Sequence, residues 1–403
     1  MKIYFYYLLH LELHLKGIRM KLHKSSSLTG LCILALLAFL LTACSTSQST
    51  GGGDDSPPTL PNLGLPVKTL HMLDRSKGWA LTNQNILFTS DGGQNWKDVT
   101  PTGSSYGTYT VGDFMNDKYA WIIATQQQIG NSVTVLRTSD GGQHWLSSKI
   151  SANEVSVLDS PHFLTTKEGF IELGTFGGPG AGSEAVGIFH TTDGGQNWTE
   201  VSDTEHPGGL PHGGLKSGIS FKDAKNGWAT GEDASDTPWL YMTHDGGHTW
   251  SKQSLPPLSN GPAIHYVTTP PVFFGNNAFL PVQVQVQASV NTVSSGFVLY
   301  KSVNGGTSWS TDFLTNPATL AKFASSDLYI ESVNNAWATD QGGNVYGTSD
   351  GGEHWSKLAS NVDTIKTLSF VDTSYGWAVS DTKLWHTTDG GKHWSQIAYH
   401  IVA

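Results

Sequence analysis

One turn is written seven times in this chain, so any fold assigned to it must hold seven copies of one structural unit. The turn reads Thr/Ser-x-Asp-Gly-Gly-x-x-Trp and occupies residues 89–96, 138–145, 191–198, 243–250, 302–309, 348–355 and 387–394, with Asn304 replacing Asp in the fifth copy. Successive Asp/Asn positions are 49, 53, 52, 59, 46 and 39 residues apart. Upstream of each turn lies a second signature, a small residue followed by an aromatic. It is Gly78-Trp79, Ala120-Trp121, Gly169-Phe170, Gly227-Trp228, Ala278-Phe279, Ala336-Trp337 and Gly376-Trp377. The two signatures absorb 12 of the 14 tryptophans and leave Trp239 and Trp385 outside. A period of this length marks architectures whose units bury an apolar face only against their neighbours.

Each unit reads as four short strands. In the last, 367–371 alternates into a turn, 376–379 and 383–387 follow, and 394–398 comes after the Asp-Gly-Gly turn. No segment after the N-terminal region has sustained helical periodicity. The expected fold is all-β: a seven-bladed β-propeller of four-stranded antiparallel blades over 67–403. The repeated turn is a structural device. Its carboxylate can bond nearby backbone N–H groups, its glycines permit positive φ, and its Trp covers the blade. That role falls to Asp91 and Trp96, Asp140 and Trp145, Asp193 and Trp198, Asp245 and Trp250, Asn304 and Trp309, Asp350 and Trp355, and Asp389 and Trp394. One carboxylate per turn is too few for calcium, which takes 6–8 oxygens, so no metal or cofactor is expected.

These turns resemble the Asp-box, or bacterial neuraminidase repeat. Combined with the upstream Gly-Trp-Ala, they resemble most the propeller family of photosystem II assembly and stability factors. The resemblance covers nearly all of 67–403 and implies a propeller that holds another molecule. The arginine patch with which members of that family dock chlorophyll-binding proteins has no counterpart here, because beyond residue 43 the chain has only Arg75 and Arg137. The same scarcity excludes sialidase chemistry, which needs three arginines. Xyloglucanase-like glycosidases use two such propellers, and sortilin-type domains have ten blades and a cysteine-rich annex.

The N-terminal region reads as an address. Lys21 and Lys24 precede eleven apolar residues, 31–41, and small residues follow. This describes a secretory signal, 1–43, with a short signal helix and a possible start at Met20. The apolar run is too short for a transmembrane helix. Leu41-Thr42-Ala43-Cys44 resembles the bacterial lipobox, which implies lipidation of Cys44 and a membrane anchor. Residues 44–66, rich in Ser, Thr, Gly and Pro, form a flexible linker. Cleavage leaves 18 basic against 32 acidic residues, a balance of −14 that argues against nucleic acid as a partner. The expected product is a monomer lipid-anchored on the outer side of the cytoplasmic membrane or cell envelope.

The face opposite the Asp-Gly-Gly turns should carry any site. The spacing from signature aromatic to turn Asp/Asn is 12, 19, 23, 17, 25, 13 and 12 residues, so blades two to five hold the insertions. Loops on a rigid scaffold are where binding groups concentrate. The candidate crescent spans 174–187, 200–216, 231–239 and 281–296. Its ligand-binding residues are Phe176, Glu184, Asp203, Glu205, His206, His212, Glu232, Asp233, Asp236 and Trp239. An acidic, aromatic surface suits a protein partner with a basic patch, or a glycan stacked on Trp239. The enzyme alternative is a glycoside hydrolase pairing Glu205 with Asp233 or Asp236. Gln283-Val284-Gln285-Val286-Gln287 alternates cleanly and should extend a hairpin of blade five, with 294–296 near its tip. The anchor has its own test. Cys44→Ala should move the protein from the membrane to the soluble fraction, and unchanged partitioning would remove the lipid from the account.

Overall fold

The computed structural model describes residues 67–402 except 105, 108, 126–128, 158, 176–181, 236, 257–262, 290–291, 311–326, 341, 361 and 382. The signal, Cys44 and the linker therefore lie outside the described residues. The remainder belongs to one compact unit, Gly64–Ala403. The described elements are β-strands, and among the described residues no helix is long and apolar enough to cross a membrane.

Six hydrogen-bonded sheets follow one another along the chain. Repeat seven shows the pattern in simple form: Thr367–Phe370, Gly376–Val379, Leu384–Thr387 and Ser395–Ile397, each antiparallel to the next. Repeats two and three share an eight-stranded sheet. The long strand Leu146–Val157 pairs with the third strand of repeat two, and its end pairs with the second strand of repeat three. In repeat five the alternating Gln-Val segment forms Asn277–Ser289, paired with Thr292–Ser302. Val282 and Val284 of that hairpin are buried. Residues 294–296 sit within the ladder opposite 284–286, and the turn at 290–291 lies outside the described residues, which corrects the expected tip.

The repeated turn closes on itself. In repeat one, Asp91 Oδ1 accepts from Thr89 Oγ1 at 2.9 Å and from the Asn95 N–H at 2.9 Å, while Oδ2 accepts from Asn95 Nδ2 at 2.7 Å. The residue before the Trp supplies that last donor in other copies too: His144, Asn197, Thr249, His354 and His393. In copy five the roles reverse. Asn304 Nδ2 donates to Ser308 Oγ at 2.8 Å, so the hydroxyl that donates to Asp245 in copy four accepts from the amide here. His144 and His393 pull Asp140 and Asp389 down to about 2, through the backbone N–H of His144 and the ring of His393 respectively. Gly93 has φ +92°, a conformation open to glycine at little cost. The preceding glycine donates its N–H to the turn between the first and second strands in all seven repeats, as in Gly92 to Ser76 O and Gly390 to Ser374 O. Both turns therefore share one face, as the up-and-down topology requires.

Neighbouring repeats are joined by the signature aromatic. Trp121 stacks on Phe163 at 3.7 Å, Phe170 on Phe221 at 3.6 Å and Trp337 on Phe370 at 3.7 Å, each partner ending the first strand of the next repeat. The indole N–H then donates across the gap: Trp121 to Gly194 O, Trp337 to Gly390 O and Trp377 to Gly92 O, all at 2.9 Å. The small residue before the aromatic is explained by a cross-strand ring. A Cβ on Gly227 would meet the Phe221 ring at 2.5 Å.

The Trp377 bond joins repeat seven to repeat one, as do Ser369 Oγ with Met72 N at 2.8 Å and Arg75 with Asp372 at 2.9 Å. The tail adds another tie. His400–Val402 pairs in parallel with Asn95–Lys97 as a fifth strand of the first sheet. A chain ending at Tyr399 should melt cooperatively at a lower temperature. Trp377→Phe, which keeps an aromatic ring but deletes the hydrogen bond to Gly92 O and part of the buried indole, should cost about 2–3 kcal/mol in denaturant unfolding. An unchanged midpoint for both would remove the closing role assigned to this contact.

Candidate functional site

The structure scatters part of the expected crescent and gathers the rest around a residue outside it. Phe176 and Asp236 lie outside the described residues. Trp239 is not a stacking platform. It is 1% exposed, packed with Phe170, Ile219 and Leu210, and its Nε1 donates to Gly213 O at 2.9 Å. The reason is strand phase: Trp239 opens the strand Trp239–Thr243, opposite Gly231, and its side chain falls between repeats three and four rather than on the loop. The expected connection 200–216 is also shorter. Glu200 belongs to the strand Thr199–Asp203 and Lys216 to the strand Leu215–Phe221.

Lys216 is the organising group. It is 7% exposed, and its ammonium donates to the carbonyls of Glu184 at 2.6 Å, Pro211 at 2.7 Å, Gly214 at 3.0 Å and His212 at 3.1 Å. Its own backbone N–H donates to Glu184 Oε2 at 2.8 Å. Burial pulls this lysine down to about 8, and Glu184 and Glu172 oppose that shift. The ammonium therefore ties the 182–184 segment to the connection after repeat three. At the rim of this tie, His212 Nε2 lies 2.7 Å from Glu205 Oε1. Asp203 Oδ1 caps its own turn, accepting from the N–H groups of Glu205 and His206. His206 Nδ1 is 3.5 Å from Asp203. Farther round, Glu232 lies 3.3 Å from His265 Nε2 and raises that imidazole, and Asp233 accepts from the Ser235 N–H. Each described acid of the crescent is thus bound within its own loop or to the adjacent strand.

Glu172 escaped the sequence reading. It is 1% exposed, and neither carboxylate oxygen has a hydrogen-bond partner among the described residues. The signal was available. Glu172 stands two places after the signature aromatic, where the other repeats have Leu81, Ile123, Thr230, Pro281, Thr339 and Val379. Burial holds its carboxyl well above the usual range, with Glu184 and Asp159 adding repulsion and Lys216 opposing. Burial also raises Asp113, whose Oδ2 accepts the Phe163 N–H, and raises Asp327 to about 6. Among the described residues, one group of three ligand-type side chains lies close enough for a metal: Asp350, Glu353 and His354. There Asp350 already accepts from Thr348 and His354 within its turn.

No protein-family profile and no curated protein sequence matches the chain. Solved structures do. YCF48 bound to a D1 peptide is 18% identical with TM-score 0.51, over 82% of this chain and 95% of that one. YCF48 from Cyanidioschyzon merolae is 18% identical with TM-score 0.52, over 81% and 97%. The GH74 enzyme of Niastella koreensis is 14% identical with TM-score 0.56, over 84% of this chain but 53% of that one. Likeness at this level shows the fold, a β-propeller. The chain spans nearly all of each YCF48 chain and about half the length of the GH74 enzyme.

Glu172 gives a pH test with a definite sign. A carboxyl raised on folding binds its proton more tightly in the native state, so its contribution is complete below the unfolded value of about 4.3 and declines as pH rises toward the folded one. Glu172→Gln cannot titrate. It should melt close to the parent at pH 4 and above it at pH 7–8, by about 1–3 kcal/mol. Destabilisation at pH 7–8 that shrinks toward pH 4 would show that an ionised Glu172 is favourably paired, and an equal effect at both pH values would show that its titration is not linked to folding.

Proposed function

We propose that this chain is an exported, lipid-anchored propeller of seven blades that holds a protein partner and performs no chemistry. One blade per repeat, a ring completed by the tail strand, lipidation at Cys44 and a monomeric propeller are parts of the same reading. The observation that carries it is the extent of the likeness. The chain spans 95% of a YCF48 chain, in a structure bound to a D1 peptide, and only 53% of the GH74 enzyme. Half of an enzyme is not a basis for assigning its activity. The carboxyls give concordant support. The most strongly raised one, Glu172, is enclosed in the core, where a glycan cannot reach it. A general acid must lie within hydrogen-bond reach of its substrate.

The rival is a glycoside hydrolase with Glu205 paired to Asp233 or Asp236. It draws on the GH74 likeness and on the acidity of the crescent. A pull-down on the anchored protein in detergent-solubilised membranes should recover a stable protein partner, and incubation with a panel of β-linked glycans should release no reducing ends. Glycan hydrolysis that disappears in Asp233→Ala would overturn the scaffold reading.

A further inference from the structure

Sheets arranged around a ring splay outward, so a wedge opens between the outer strands of each neighbouring pair and must be filled. The chain fills three of these wedges with a large side chain from its connections. Tyr106 is buried between repeats one and two, Leu210 between three and four, and Tyr399 between seven and one. Two of these fillers sit beside backbone that bonds the outer strand of the next repeat. Near Leu210, Gly208 O accepts the Trp250 N–H at 2.7 Å. After Tyr399, His400 donates to Gln94 O at 2.9 Å, and His400–Val402 continues in parallel along Asn95–Lys97.

Between repeats six and seven the wedge is open. Among its described residues the connection brings the smaller Val362 and Ile365 against the core, and a groove of about 560 Å³ remains. Its floor is apolar: Leu358, Val362, Trp385 and Trp394. Trp385, one of the two tryptophans outside the repeat signatures, occupies a third-strand slot that is buried as Leu87, Leu136, Phe189, Tyr300 and Tyr346 in five other repeats and, like Tyr241 in repeat four, is itself only partly covered. The rim is basic and exposed, with Lys357, Lys392 and His393. The nearby carboxylates are engaged: Asp389 with His393 and Thr387, and Asp363 with Lys383. A basic rim is notable on a chain of net charge −10.

The residues that hold the tail strand in repeat one, Gln94 to Lys97, correspond through the repeat to Lys392, His393, Trp394 and Ser395. The strand Ser395–Ile397 ends its sheet. We propose that this groove receives an extended acidic segment of the protein partner, which adds in parallel to the outer strand of repeat seven and places one large apolar side chain between Leu358 and Trp385. The bound segment does at six–seven what Tyr399 and the tail strand do at seven–one. Main-chain bonds and one pocketed side chain are the recognition mode of strand addition, and the lysines select the acidic sequence. This inference rests on the scaffold reading and names the surface it uses.

The test is a selection of short random peptides on the full-length chain, compared with two variants: Val362→Trp, which fills the wedge, and the surface double substitution Lys357→Glu with Lys392→Glu. The second guards against the first failing to fold, and thermal melts check both. The expected result is recovery of acidic peptides with one central aromatic or aliphatic residue, weakened at least tenfold, about 1.4 kcal/mol, in either variant. Recovery of neutral or basic peptides, equal binding to the folded variants, or no recovery at all overturns the proposal. So does displacement of the selected peptide by an anionic oligosaccharide that itself loses binding in both variants, which would make the groove a glycan site. If both variants still capture the envelope partner in a pull-down, the groove assignment fails while the scaffold stands.

Discussion

The fold depends on a single aromatic contact made again and again. At four junctions the ring of one repeat lies on the phenylalanine that ends the next repeat's first strand, and the indoles of Trp79, Trp121, Trp337 and Trp377 donate across to the following repeat, whereas that of Trp228 donates to Gln253 in its own repeat. Trp121 over Phe163, with its N–H on Gly194 O, is the pattern. Stacked pairs of this kind contribute about 0.5–1.5 kcal/mol beyond their buried area. More important is what the contact organises. It fixes the next Asp-Gly-Gly turn, and that turn is bonded to the loop between the first two strands of its own repeat. A four-stranded sheet with two apolar faces cannot persist alone. Here each sheet is completed by its neighbour, and the register of one turn is passed to the next.

Polar groups follow the same logic on the inner side. The first strand of each repeat has an edge without a ladder partner, and buried backbone groups there must still be satisfied. Side chains from the preceding repeat meet them. Asp113 takes the Phe163 N–H, His162 meets Phe221 O, Tyr329 donates to Phe370 O and Ser369 accepts the Met72 N–H. These bonds run in one direction, from each repeat to the one after it. They also account for the buried acids: Asp113 is held by the backbone hydrogen bond it accepts, whereas Glu172 has no such role.

The architecture was largely legible because it is repetitive. The four strands of repeat seven agree with their expected positions to within a residue or two, since turn and aromatic punctuate the unit at fixed places. Legibility ended where a side chain's direction mattered. Trp239 follows a polar, acidic stretch and reads as a loop residue, but one strand position decides whether it faces solvent or core. Lys216 reads as the boundary of a loop, because nothing in one sequence tells that backbone carbonyls will converge on its ammonium. The Phe that underlies the signature aromatic at four junctions was also within reach, since Phe114, Phe163, Phe221 and Phe370 all stand six residues before the small residue of their own repeat. Glu172 could have been found by the same alignment of repeats, as an acid in an otherwise uncharged slot.

The tail strand has a consequence for the order of events during synthesis. Its partner, Asn95–Lys97, lies about three hundred positions earlier in the chain, and the Trp377–Gly92 bond spans a separation of 285. Contacts of such separation form late, because a long loop must close before they bring any reward. Six repeats can therefore be in place while the first still lacks its fifth strand. In that interval the outer edge of repeat one is an unpaired strand, open to any other extended chain, including the tail of another copy. The tail-strand residues are thus the ones that turn an open row of sheets, prone to exchange, into a ring with no free edge at its seam.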